Sequence, residues 1–482
     1  MKLSALKDIA SYGFAICIMK GTSLLMLPII TRYLSPEDYG QLELITVSST
    51  FISLIISCSL HEALYRFAND GEDKKTCAKQ KANQLFSLSL LTSTALITLL
   101  IIAFGLLDMW GNSLPYHIES QQIAIVLLSL IISGSLAIGM AWMRMQDHVT
   151  AFTKLSIFTT LFQALLVITL LECNYGVTSM LLAGLVTHIV QWIWVYKLSN
   201  LKLVVPTSRF SIKSMRYAIP MTASAVVAFG LNGAERWLVL SSSDLETLGQ
   251  YAIAAKFALA TCILVQPFGM WWMPKRFAIL QQDKRNAAFI STLGVMYVCA
   301  LIIVVGSLSQ FALPILLDAQ YQQTSLFILG ALFMVLGKEV TELVNLGLLV
   351  KQRTQELFKI NLITTIVGLC CCALLISYGI WGVMISIGCA QLGKTIWVYH
   401  TSQACIPIFK SSKPFIFSIS ITLVCLSGLY FAPSVLEAHT NSAVAMIGVT
   451  SVSLTLLLLA IYHLFKENQL VSHFENQHSR CC

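Results

Sequence analysis

Four lysines, Lys20, Lys256, Lys338 and Lys394, stand inside long apolar runs of this sequence. An ammonium at the centre of a bilayer costs at least ~2.5–3.5 kcal/mol on insertion scales, so it seeks a partner, a water-filled cavity or the headgroups. Lys20 and Lys338 lie in mid-run, whereas Lys256 and Lys394 lie nearer run ends, where snorkelling competes with function. After Lys338, the residues Thr341, Glu342 and Asn345 fall at i+3, i+4 and i+7, one polar stripe on an otherwise apolar helix. Two readings of the stripe stand. Lys338 and Glu342 form a pair that only neutralises itself, or Glu342 holds Lys338 until an anion or a coupling cation competes. Glu339 is a further acid in the run, and Arg32 and the Glu235–Arg236 pair stand at the ends of other runs. They anchor helix ends at the interface, or they contact or gate a ligand. The chemistry these residues offer is recognition of an anion, because an ammonium in low dielectric supplies both countercharge and hydrogen-bond donors to phosphate oxygens.

Neutral polar residues admit two roles as well. Gln163, His188, Gln191 and Gln391 can hydrogen-bond sugars or join helices to one another. The pairs Trp271–Trp272 and Trp192/Trp194 read as an interfacial aromatic belt in preference to sugar platforms.

A different chemistry is suggested by "GCAQLGKTIW", Gly388 to Trp397, which fits the pattern G-x-x-x-x-G-K-[ST] of phosphate-cradling loops. Such a loop needs a strand, a glycine-rich turn and a helix inside a water-exposed α/β domain. The stretch lies instead in one hydrophobic run with further runs on both sides. No ATP binding and no cofactor are expected, and Lys394 reads as an intramembrane lysine that follows a glycine.

The elements that must position these residues follow from composition. With 56% hydrophobic and 11% charged residues, the chain of 482 is far from the roughly 25% charged usage of soluble domains. Runs of about 20 apolar residues, the length that crosses a bilayer core, occur near 9–33, 41–65, 82–107, 122–143, 151–171, 177–196, 217–240, 249–273, 288–313, 325–350, 357–378, 380–400, 414–432 and 443–465. Fourteen transmembrane helices and no strand are therefore expected, an all-α polytopic membrane protein. Asp8 and Lys20 interrupt the first run, which reads as a retained span and not as a signal peptide. With the N-terminus in the cytoplasm, 25 of the 31 Lys and Arg fall in cytoplasmic segments, two (Arg32 and Arg236) outside and four within spans. This bias puts both termini in the cytoplasm, and it absorbs the net charge of +8 without a nucleic-acid partner. The connections are too short for a soluble domain. The fourteen cysteines lack metal or disulfide spacing, and Cys481–Cys482 need not be a lipid anchor in a chain with many spans.

An echo links two parts of the chain. "RYLSPEDYGQL" after span 1 and "RWLVLSSSDLETLGQY" after span 7 share Arg-aromatic-Leu, a loop and Gly-Gln, with Arg32 and Arg236 about 204 residues apart. A parallel repeat about an axis along the membrane normal produces this pattern. The organisation it predicts is an N-terminal lobe over 1–200 (spans 1–6), a second lobe over 201–408 (spans 7–12), and spans 13–14 with a tail over 409–482.

"LPIITRYLSPEDYGQLELI", Leu27 to Ile45, resembles the opening signature of the polysaccharide-exporter (O-antigen flippase) branch of the multidrug/oligosaccharidyl-lipid/polysaccharide (MOP) flippase superfamily. "LHEALYRF", "RYAIPM", "LETLGQYAIAAKFA" and "WWMPKRF" continue the likeness in order over most of the chain. Glu235 departs from it, since many relatives carry Asp there. The resemblance implies two six-helix lobes plus two C-terminal helices, and alternating access that carries a polyprenyl-diphosphate-linked oligosaccharide across the bacterial inner membrane for O-antigen, lipopolysaccharide, capsule or exopolysaccharide assembly. On that reading the chain is a transporter and not an enzyme. Lys20, Lys256, Lys338, Lys394, Arg32 and Arg236 face the substrate, and Glu235, Glu339 and Glu342 couple or gate. Proton or sodium coupling and contacts with membrane lipids and other polysaccharide-assembly proteins are further expectations. A multidrug or cation antiporter of the same superfamily and a lipid-linked peptidoglycan-precursor flippase are the alternatives. A membrane glycosyltransferase or ligase would need a sizeable extracytoplasmic catalytic loop, which is absent.

Overall fold

The computed structural model describes residues 3–67, 74–109, 118–146, 149–273, 275–351, 353–436 and 442–478; Cys481 and Cys482 lie outside them. Every regular element among the described residues is helical. Two compact units divide the chain, Met1–Arg236 and Trp237–Cys482. The first holds α1 (Leu3–Tyr33), α2 (Pro36–Ser57), α3 (Leu60–Phe67), α4 (Lys74–Met109), α5 (Ser120–Met145), α6 (Val149–Glu172), α7 (Gly176–Ser199), α8 (Ser208–Gly230) and the start of α9 (Glu235–Ser242). The second continues with α10 (Leu245–Trp272), α11 (Arg276–Gln282), α12 (Lys284–Leu316), α13 (Thr324–Val344), α14 (Leu346–Val350), α15 (Thr354–Leu375), α16 (Gly379–Cys405), α17 (Lys413–Leu436) and α18 (Ser442–His478). α8 packs on α2, α3 and α4, which brings it into the first unit.

Eleven stretches among the described residues are long and apolar enough to cross a membrane. Gln355–Cys405 contains both α15 and α16, and so two of the expected spans. The runs near 9–33 and 325–350 correspond to α1 and to α13 with α14; α13 carries Lys338, Glu339 and Glu342. The chain is a multi-pass membrane protein.

Local chemistry explains the "SPEDYG" signature. Ser35 caps α2: the Asp38 backbone N–H donates to the Ser35 hydroxyl at 3.1 Å, while the Asp38 carboxylate accepts from the Ser35 backbone at 3.3 Å, with Pro36 in the first turn. This is a capping box, which satisfies otherwise orphaned donors at a helix start. The echo has the same origin. Asp244 caps α10 by accepting from Thr247 N–H at 2.8 Å, and in both copies Gly-Gln begins five residues after the cap.

Three spans are broken. Between α2 and α3, Cys58 and Ser59 both adopt the left-handed region, with φ of 45° and 46°. A turn over 231–234 separates α8 from α9, and Asn345 separates α13 from α14. Such interruptions cost backbone hydrogen bonds in a bilayer and are tolerated where they are buried in protein or line a cavity. The α15–α16 hairpin turns at Gly379, whose φ of 64° and ψ of −149° are accessible only without a Cβ.

Leu60, Leu64, Leu85, Phe86, Ile138 and Trp142 unite α3, α4 and α5 in the first unit's core. In the second unit, α13 is the central helix, packed on α10, α12 and α16.

Candidate functional site

The seam between α13 and α16 sets the positions of two of the four lysines. A Cβ at Gly337 would lie 2.7 Å from the carbonyl carbon of Gln391 and 2.8 Å from the nitrogen of Leu392, so the two backbones touch there. The hydroxyls of Thr341 and Thr395 meet at 2.8 Å, and each lies 2.8 Å from the Gly337 carbonyl oxygen. Lys338 follows Gly337, and Lys394 precedes Thr395, so the seam brings both half-buried lysines within electrostatic reach of each other. Small residues that let backbones approach are the usual means of packing helices in lipid.

Glu342 is the acid of this cluster. It attracts Lys394 and also Arg276, the first residue of α11. Burial lowers the pKa of Arg276, and Glu342 opposes that shift. The Arg276 guanidinium packs 4.9 Å from the Phe277 ring centroid, and its Nη1 lies 2.9 Å from the Met273 sulfur. Its Nε is buried without a hydrogen-bond partner. Beside Glu342, the Asn345 amide donates to Oε2 at 3.2 Å; Asn345 is 3% exposed, and its Oδ1 is likewise unpartnered. Glu342 and Lys338 form no ion pair: the carboxylate takes its hydrogen bond from Asn345 in place of the i,i+4 lysine. Both readings of the stripe rest on a Lys338–Glu342 pair, whereas Glu342 acts here on Lys394 and Arg276, with Lys338 beside Lys394. Glu339 engages the Cys262 thiol of α10, and Lys256 is half-buried on that helix. The second unit therefore links Glu342 with Arg276 and Lys394, Lys394 with Lys338, and Glu339 with Cys262.

In the first unit, Lys20 and Arg32 are exposed, and Tyr33 beside Arg32 donates to Glu172. Arg236 behaves differently. Its Nε donates to Glu43 and its Nη1 to Glu235 at 2.7 Å, with side-chain exposures of 12% for the arginine and 5% for each acid. The two echoed arginines thus have different environments, because Arg236 is enclosed between two carboxylates at the break before α9. Glu43 and Arg276 are the members that the sequence reading did not single out. An acid within the run 41–65 was the available signal for Glu43, and a guanidinium beside a span end that for Arg276.

The remaining candidates are mainly structural. His188 shares a hydrogen bond of 2.7 Å with Ser129 of α5. Trp192 packs half-buried against the first unit's core: it stacks on Tyr196 at 9° and 5.5 Å and donates to Ser135 at 2.9 Å. Trp272 is 1% exposed, whereas Trp271 is exposed with the Lys275 ammonium 5.1 Å from its ring centroid. The stretch 388–395 is continuous helix within α16, and a Cβ at Gly388 would meet the ring of Phe333. Its backbone is thus coiled into the helix and forms no cradle.

The polysaccharide biosynthesis protein family model matches residues 29–286, more than half of the chain. The chain belongs to this family. No curated protein matches it. Among solved structures, the lipid II flippase MurJ in an inward closed conformation is similar at 13% identity over 97% of this chain and 100% of its own, with a TM-score of 0.68. An inward-facing multidrug resistance MATE transporter of the MOP superfamily is similar at 14% identity over 84% of this chain and 99% of its own, TM-score 0.58. The Vibrio cholerae MATE transporter VcmN, as a point mutant, matches at 14% identity over 84% and 97%, TM-score 0.56. These likenesses show that the chain has the fold shared by these MurJ and MATE structures.

Proposed function

We propose that this exporter carries a polyprenyl-diphosphate-linked oligosaccharide across the bacterial inner membrane by alternating access, with both termini cytoplasmic. The observation that carries the reading is Glu342 within electrostatic reach of Arg276 and Lys394, with Lys338 beside Lys394, in a chain of a polysaccharide biosynthesis family. Arg276, Lys338 and Lys394 against Glu339 and Glu342 leave an excess of positive charge in low dielectric, which favours an anion such as a diphosphate. Arg276 offers a buried Nε donor without a partner, and a guanidinium matches phosphate geometry in a way that an ammonium cannot. Glu342 then acts as the resident anion that the substrate displaces, with a proton or sodium ion as the coupling species and no ATP.

The test is surface glycan in a deletion strain complemented by variants, with membrane levels measured by immunoblot. Lys338→Gln, Lys394→Gln and Arg276→Gln should each insert normally and lower export, whereas Lys394→Arg retains it. Wild-type glycan from Lys338→Gln and Arg276→Gln together would refute the reading. Unchanged drug accumulation separates it from an antiporter. An intact cell wall in the deletion strain separates it from a peptidoglycan-precursor flippase.

A further inference from the structure

In the second unit the α17–α18 hairpin packs on α12, and residues of these three helices line a groove of about 380 Å³. Its walls are apolar, formed by Met296 of α12, Phe417 of α17, and Leu456 and Leu459 of α18. Two lining side chains differ in character, Lys413 and His463, and none is acidic. Lys413 is the first residue of α17, and His463 lies in the last turn of the apolar stretch Ala443–Lys466. Leu456 is seven residues from His463 along α18, two turns or ~10 Å, so the groove is apolar along its length and basic at one end. Exposed Lys410 and Lys466 lie close in sequence to these two residues and add positive charge.

Phe417 is 45% and Leu459 58% exposed, on helices that are long and apolar enough to span the membrane. The medium that meets them is lipid, and the basic mouth adds a choice of headgroup. We propose that this groove binds an anionic phospholipid, with an acyl chain along Met296, Phe417 and Leu459 and the phosphate between Lys413 and His463. A zwitterionic headgroup presents its own ammonium to Lys413 and is repelled, whereas a glycerol headgroup carries no such charge. Basic pockets between transmembrane helices select acidic lipids in this way, at ~1 kcal/mol per basic residue, or about five-fold in binding. None of the lining residues belongs to the cluster around Glu342, so the site stands independently of the transported substrate.

The test is native mass spectrometry of the purified full-length exporter with phosphatidylglycerol or phosphatidylethanolamine added at matched concentrations. The wild type should retain phosphatidylglycerol about five-fold more than phosphatidylethanolamine. Lys413→Gln with His463→Gln should remove that preference and leave phosphatidylethanolamine retention unchanged; both side chains are exposed, so packing survives the change. Ala460→Trp, which fills the groove, should lower retention of both lipids. Equal retention of the two lipids by the wild type, or a preference that survives the double substitution, overturns the proposal. So does displacement of phosphatidylglycerol by equimolar polyprenyl monophosphate, which would assign the groove to the isoprenoid chain.

Discussion

Gly337→Ala tests the seam that positions Lys338 and Lys394. The added Cβ would lie 2.7 Å from the Gln391 carbonyl carbon, where ordinary contact begins at 3.4 Å, so α13 and α16 must part by about 0.7 Å. The atoms met belong to the α16 backbone and to the Cβ of Gln391, which have no rotamer with which to yield. Overpacking of this kind costs roughly 1–3 kcal/mol, and the better helix propensity of alanine returns at most about 1 kcal/mol. The same displacement stretches the 2.8 Å contacts that the Thr395 hydroxyl makes with the Gly337 carbonyl and with the Thr341 hydroxyl towards 3.5 Å, the limit of a hydrogen bond. A matched control lies on α16 itself: nothing stands within 4 Å of a Cβ at Gly393, so Gly393→Ala should be neutral or slightly stabilising. The assay is thermal unfolding of both variants in detergent, alongside export in the complemented deletion strain. Gly337→Ala should unfold at lower temperature and export less, and Gly393→Ala should match the wild type. If the two variants are indistinguishable in both measurements, the seam does not set the site.

Two further outcomes follow from buried or capping charge. Arg236→Gln leaves Glu43 and Glu235 facing each other with no cation between them, and removal of one partner from a buried ion pair costs about 3–5 kcal/mol. Membrane levels of this variant should fall steeply, and adding Glu43→Gln should restore part of the loss; a double variant no better than the single one would contradict the triad. Thr247 backbone and side-chain hydrogen bonds hold the Asp244 carboxyl below its usual pKa of 3.8. The cap's contribution is therefore complete above about pH 4 and is lost as the pH falls through the lowered folded-state value. Asp244→Ala should cost about 1 kcal/mol at pH 7, and its deficit against wild type should shrink as unfolding is measured below pH 4.

Much of the scaffold was legible in the sequence because lipid imposes one rule: backbone groups must bond within the segment, so apolar length alone marks a helix. The caps were legible too, since Ser35–Asp38 and Asp244–Thr247 act within one turn. Partners distant in sequence were not. Glu43 meets Arg236 across 193 positions, and no local spacing announces it. The i,i+4 geometry of Lys338 and Glu342 was real but not decisive, because Asn345, one turn further on, offers a donor already fixed by burial at the helix break. Arg276 escaped because its side of the cluster belongs to a short helix outside the spans. Trp272 looked interfacial by type, yet it is a core residue by position, and Trp192 packs half-buried against the first unit's core.

Helices that touch through glycine have no side chain between them to act as a bearing. Sliding α13 by one residue along α16, ~1.5 Å, would press the side chain of Leu336 or Lys338 against the Gln391 backbone and take the Gly337 carbonyl from the Thr395 hydroxyl. α13 and α16 therefore travel as one plate, and α15 goes with them through the short turn at Gly379. Lys338 and Lys394 keep a fixed spacing as long as the two helices move together. The break at Asn345 lies just beyond this plate, beside the carboxylate of Glu342, so the joint of the helix and the acid that takes its hydrogen bond from Asn345 stand together.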